Sequence, residues 1–140
     1  MIRLLVLIAL MISGHCQATI LVIVHAQNPV AQLEKKQVVD LFMGRVSTFP
    51  GGAPAHTLDL RPGNPLRADF YRRLTGKSEA QVDAYWATLV FAGHMSPPKQ
   101  FANDQKLIQE VARDKSAIAY VARQTLPRNI KVVMELPPIP

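Results

Sequence analysis

The chain has 140 residues, 49% apolar and 19% charged, with a formal charge of +6 and a single cysteine. That is enough for one domain with its own core and too little for two. It also excludes an internal disulfide and any cluster of thiolate ligands. The positive balance favours acidic partners or small anions without selecting one.

The N-terminus reads as an export signal. Met1-Ile2-Arg3 is a short basic start, Leu4 to Ser13 is an apolar run of ten, and Cys16-Gln17-Ala18 is a small-x-small stretch of the kind a signal peptidase cuts. Residues 1–18 are therefore expected to be a signal peptide, with the chain delivered to the periplasm. Two rivals stay open. A lipoprotein signal wants a small residue before its cysteine, where this chain has His15. An uncleaved anchor needs roughly 20 apolar residues, and His15, Cys16, Gln17 and Thr19 interrupt that span. Removing 18 of the 140 residues leaves 122 and takes away the cysteine and Arg3, so 15 basic residues face 10 acidic ones. A chain of that size buries about two-thirds of its unfolded surface.

Beyond the signal, Ile20 to Val24 has no polar alternation, the pattern of a strand covered on both faces, and Asn28-Pro29 breaks it. Leu33, Val38, Leu41 and Phe42 then fall on one helical face, and Gly44 suits the position just past the helix end. "RVSTFPGGAPAH" predicts a surface loop, and His56 to Leu60 a short second strand. Asn64 is a good N-cap and Pro65 a good first helical residue. Leu66, Phe70 and Leu74 continue that helix until Gly76.

Ser78 to Gln81 is a capping box leading Val82, Tyr85, Trp86 and Leu89 at helical spacing. Asn103 or Asp104 caps a further helix through Leu107, Ile108 and Val111. "AIAYV" is a third strand and "IKVVM" a fourth, with residues 135–140 left as an extended tail. Strands alternating with helices predict an α/β fold: one three-layer lobe with a mainly parallel sheet of about four to five strands over residues 19–134.

In such sheets ligands gather at strand carboxyl ends beside helix N-termini. "LDLRPGNPLRADFYRRL" is that kind of place. A helix N-terminus offers unpaired N–H groups and partial positive charge to an oxyanion. Arg72 and Arg73 have Asp69 three and four residues before them and form ordinary helix pairs. Arg67 sits in the first turn, where the dipole disfavours a cation by about 0.3–1 kcal/mol, and positions 63, 64, 70 and 71 give it no carboxylate. The candidate anion site is Arg61, Gly63, Asn64, Leu66 and Arg67. Two plainer readings stand beside it, a side-chain pair between Arg61 and Asp59 and an Arg67 that simply points into water.

Other chemistry is thin. His25, His56 and His94 have no metal-ligand spacing, no serine stands in a nucleophile elbow, and the basic residues are too scattered for a nucleic-acid surface. No enzyme, cofactor or metal site is expected.

The spaced set "VIVHAQNPVAQLEKKQVVDLFMGRVSTFPGG", "LRPGNPLRADFYRRL", "YWATLVFAG" and "SAIAYV" resembles the phosphate-type substrate-binding proteins of ABC importers, and more closely their short, single-lobe secreted forms. The resemblance runs from about Leu21 to Val133. It implies a type II periplasmic binding protein-like lobe and a non-enzymatic solute-binding role linked to ABC phosphate uptake. The ligand would be phosphate or another small oxyanion, with Arg61 as the strand-end arginine of the anion loop.

This chain departs from that pattern in having no hydroxyl at 64, 65 or 66, and in placing Ser116 and Ala119 where glycines are usual. The alternative is an envelope protein–protein interaction module that keeps the fold without the anion. Its partner would be an ABC permease, another envelope protein or a second copy in a homodimer.

Overall fold

A computed structural model of the chain describes residues 18–93 and 95–140. The expected signal peptide and His94 lie outside the described residues, apart from Ala18. Five strands, β1 (Ile20–His25), β2 (His56–Leu60), β3 (Lys99–Phe101), β4 (Ala117–Ala122) and β5 (Ile130–Leu136), form one sheet in the order β3-β2-β4-β1-β5. β2 pairs in parallel with β3 and β4, while β1 pairs antiparallel with β4 and β5. Four strands therefore run one way and β1 runs against them, so the sheet is mostly parallel in direction.

Every residue of β1 is buried, as its unbroken apolar run requires. Four helices flank the sheet: α1 (Lys35–Phe42), α2 (Pro65–Thr75), α3 (Glu79–Phe91) and α4 (Asp104–Arg113). α4 lies along β4, β1 and β2, and α2 lies over β2, β4 and β5 with α1 and α3 packed on it. The caps fall where the sequence placed them. Asn64, Ser78 and Asn103 each accept a backbone N–H of their own first turn, and Gly76 ends α2 in the left-handed conformation at φ 74°.

The core beneath α2 is aromatic. Phe70 stacks on Tyr120 with centroids 3.7 Å apart, and Phe42 meets both edge-on. Trp86 is 7% exposed on the inner face of α3, consistent with its helical spacing to Val82. Two features differ from the expectation. β3 is an additional strand of only three residues, and β5 runs two residues past Met134, so the extended tail begins at Pro137.

β5 is an edge, and it is shielded. Its register with β1 shifts between Val22 and Ile23, and Val133 O accepts from Leu33 N at 2.9 Å.

Candidate functional site

β2 delivers the chain to the corner at Leu60, and Arg61 to Asn64 turn it into α2. Gly63 takes φ 91°, which favours glycine. The Asn64 side-chain oxygen accepts from Leu66 N at 3.0 Å, and Arg67 N donates to Asn64 O at 3.0 Å. The first-turn N–H groups of Leu66 and Arg67 are thus already satisfied by the cap. Pro65 has none to give.

The side chain of Arg67 is the centre of the corner, and it is only 3% exposed. Its three nitrogens go to three carboxylates: Nε to Asp59 Oδ2 at 3.3 Å, Nη1 to Glu79 Oε1 at 2.8 Å and Nη2 to Asp83 Oδ1 at 2.9 Å. Burial opposes the guanidinium charge, but Asp59, Glu79 and Asp83 outweigh it and raise its pKa, so it stays protonated. The same Glu79 oxygen accepts Gly63 N at 3.1 Å. Glu79 therefore supplies the anionic group at the head of α2 from within the chain.

Asp59 anchors the buried end. Its Oδ2 accepts from Tyr71 Oη at 2.7 Å, and its Oδ1 accepts from Leu60 N at 2.8 Å and from the Tyr120 hydroxyl. Burial pushes its carboxyl above the usual range, against the opposing pull of Tyr120, Arg67, Tyr71 and the Leu60 amide. Burial and the nearby Asp59 charge also push both tyrosine hydroxyls well above their ordinary range.

Five residues were singled out as anion ligands, and the structure brings them to one corner without leaving them equally available. Arg61 is exposed and has no side-chain partner among the described residues, so the plainer alternative of a pair with Asp59 does not form. The Gly63 N–H is held by Glu79. Asn64 caps the helix with its oxygen, leaving its side-chain NH₂ without a partner among the described residues. Leu66 gives its N–H to that cap.

Arg67 corrects the expectation that it lacks a carboxylate or points into water. Its partners come from 8, 12 and 16 residues away rather than from its own turn. Sequence reasoning weighed Asp59 only as a partner of Arg61, and missed Glu79, Asp83, Tyr71 and Tyr120. The available signals were a carboxylate between two leucines of a buried strand, and two acids at i and i+4 in the first turns of α3.

The two described histidines sit apart from this corner. His25 Nδ1 accepts from Gln27 N at 3.0 Å at the end of β1, and His56 Nδ1 lies 2.7 Å from Asp114 Oδ2. Arg73 pairs with Asp69 through two nitrogens, as its spacing implied, and also donates to Ala18 O and Leu136 O, tying α2 to the outer sheet.

No protein-family model matches the chain, and no curated protein matches it either. Solved structures do. A phosphate ABC transporter substrate-binding protein with bound phosphate from Clostridium perfringens superposes at a TM-score of 0.66 and 18% identity, over 83% of this chain and 45% of its own. An ABC-type phosphate transport receptor from Vibrio cholerae gives 0.64 and 12%, over 84% of this chain and 47% of that one. The PstS protein of Borrelia burgdorferi gives 0.56 and 9%, over 74% and 41%. The chain thus spans about half the length of the structures it matches. Across that half, its mixed sheet and flanking helices have the fold of the phosphate-type ABC transporter substrate-binding proteins.

Proposed function

We propose that this chain is a non-enzymatic solute-binding lobe of the cell envelope, exported by residues 1–18. On this reading it takes a phosphate-like oxyanion weakly, and only by displacing its own Glu79. The observation that carries the proposal is the Glu79 carboxylate held between Gly63 N and Arg67 Nη1. The corner already binds an anion, and that anion belongs to the chain. With Glu79 swung out, its side chain being 22% exposed where it now sits, Gly63 N–H and Arg67 Nη1 would face the incoming oxyanion. Arg61 and the Asn64 amide would supply the outer contacts.

Magnitudes set the affinity. A five-atom oxyanion at about 1.5 kcal/mol per atom reaches at best roughly 7.5 kcal/mol, near micromolar. One lobe supplying about half the contacts brings this to about millimolar. If Glu79 keeps the seat for about 90–99% of the time, the apparent constant rises a further tenfold or more. Asp59 and Asp83 add repulsion.

The test is calorimetric titration of residues 19–140 with phosphate, sulfate and a small dicarboxylate, at low and moderate salt. Glu79→Ala should bind an oxyanion at least tenfold more tightly than the native chain, and adding Arg61→Ala should abolish that gain. No saturable binding by Glu79→Ala would end the solute-binding reading.

A second reading is favoured by one observation. Phe91 at the end of α3 is 95% exposed, beside Val90 at 48%. An apolar ridge of this kind marks a protein contact, so the chain would act as an envelope interaction module for a permease, another envelope protein or a second copy. Light scattering that shows a dimer lost on Phe91→Ser, with no oxyanion binding by any variant, would favour this role.

A further inference from the structure

Arg73 reaches from α2 to the outer sheet with 2% of its side chain exposed. Asp69 takes its Nε at 3.0 Å and its Nη2 at 2.7 Å, so both carboxylate oxygens are engaged. Nη1 donates to two carbonyls, Ala18 O at 2.8 Å and Leu136 O at 3.1 Å. Leu136 is the last residue of β5, and Ala18 stands two residues before β1. Thr19 is held as well, its carbonyl accepting Arg123 N at 3.0 Å. Ala18 and Thr19 are thus tied into the end of the sheet by hydrogen bonds from α2 and from the residue after β4.

Those ties decide between two places where an export signal could be cut. Small residues stand at alternate positions twice, in Gly14-His15-Cys16 and in Cys16-Gln17-Ala18, and either suits a signal peptidase. A cut after Ala18 breaks the bond at the very carbonyl that Arg73 holds and removes that carbonyl from the chain. Nη1 would keep Leu136 O alone, a lost acceptor on a buried charged donor. The new Thr19 ammonium would also stand within about 5 Å of the guanidinium, a like charge for which Asp69 has no oxygen to spare. A cut after Cys16 leaves the Ala18 carbonyl in place and sets the new ammonium two residues further out. On the export reading proposed above, we infer that a signal peptidase adds water across the Cys16–Gln17 bond, releasing the Cys16 carboxylate with the leader and leaving a mature chain that begins Gln17-Ala18-Thr19.

The test is the intact mass of the full 140-residue chain after expression in an exporting bacterium and recovery from the periplasm. The expected product is residues 17–140, whole or short of one ammonia where the new N-terminal glutamine has closed on its own side-chain amide. Ala18→Gln spoils only the later site and should leave this product's start unchanged. Gly14→Gln spoils only the earlier one and should abolish it; any product then begins at Thr19 and should melt about 3–8 °C below the native one. Adding Arg73→Met to both should close that gap. A native product that begins at Thr19, or processing that stops with Ala18→Gln, would overturn the cut while leaving export standing. The native sequence found uncut in the membrane would sink the export reading itself, and the inferred cut with it.

Discussion

Replacing Arg67 with methionine tests whether the corner is held together from within. The side chain is 3% exposed and Asp59 is 2% exposed, so deleting the guanidinium leaves a buried carboxylate without its cation. Breaking a buried pair in this one-sided way costs about 3–5 kcal/mol. Glu79 and Asp83 are 22% and 45% exposed and can turn to water, adding at most about 1 kcal/mol. Against a total stability of roughly 5–15 kcal/mol, the loss should lower the melting temperature by about 10–20 °C in a domain of this size.

Arg61→Ala, on an exposed side chain, should stay within about 0.5 kcal/mol. Arg67→Lys should fall close to the methionine variant, because one ammonium cannot reproduce three directed N–H contacts. The assay is urea unfolding followed by circular dichroism and Trp86 fluorescence, with Arg67→Met/Asp59→Asn as the fourth protein. That double variant should be less damaged than the sum of its parts by about 1–3 kcal/mol. A loss below about 1 kcal/mol for Arg67→Met, no greater than for Arg61→Ala, would refute the argument.

Three more outcomes follow from the same structure. The Asp59 carboxyl is raised by burial, so the native state keeps its proton longer than the unfolded chain. Its contribution to stability is full below about 3.8 and is lost as pH rises through the folded value; urea midpoints across that acid range should show this slope, and Asp59→Asn should remove it. Tyr71 and Tyr120 are raised well above 10.0, so stability should fall as pH climbs past about 10, and their phenolate absorbance should appear together with the loss of the circular dichroism signal rather than before it. Gly44 has φ 70°, and a Cβ built there would lie 2.5 Å from Trp86 Cη2. Gly44→Ala should therefore cost at least about 1–2 kcal/mol from backbone strain alone, seen as a lower urea midpoint with a shifted Trp86 emission.

Most of the fold could be read because its signals are local. Asn64, Ser78 and Asn103 cap helices through hydrogen bonds spanning two or three residues, so the sequence carries the whole interaction. β1 announces its burial by composition alone. The direction of β1 has no such signal, because an apolar run reads the same whichever way its neighbours point, and strand alternation with helices favours an all-parallel order. β3 was missed for a related reason. Three residues carry no period, and Lys99–Phe101 becomes a strand only because β2 lies beside it in register.

The corner shows the same limit in chemical terms. Arg67 in a first helical turn with no nearby acid is a real conflict, and an anion is the right resolution. The sequence does not say whether that anion comes from solvent or from another part of the chain, since a single Glu79 oxygen accepts from both Gly63 N and Arg67 Nη1, as an oxygen of a bound oxyanion would. Asp59 between Leu58 and Leu60 held the missing clue, for a carboxylate buried in a strand needs a cation, and the cation it found was the one that looked free. Once Arg67 is drawn inward to Asp59, the α3 acids gather around its remaining nitrogens. Arg61 is then left as the exposed arginine of the corner, so on the proposed reading its removal is the substitution that separates a working anion seat from a closed one.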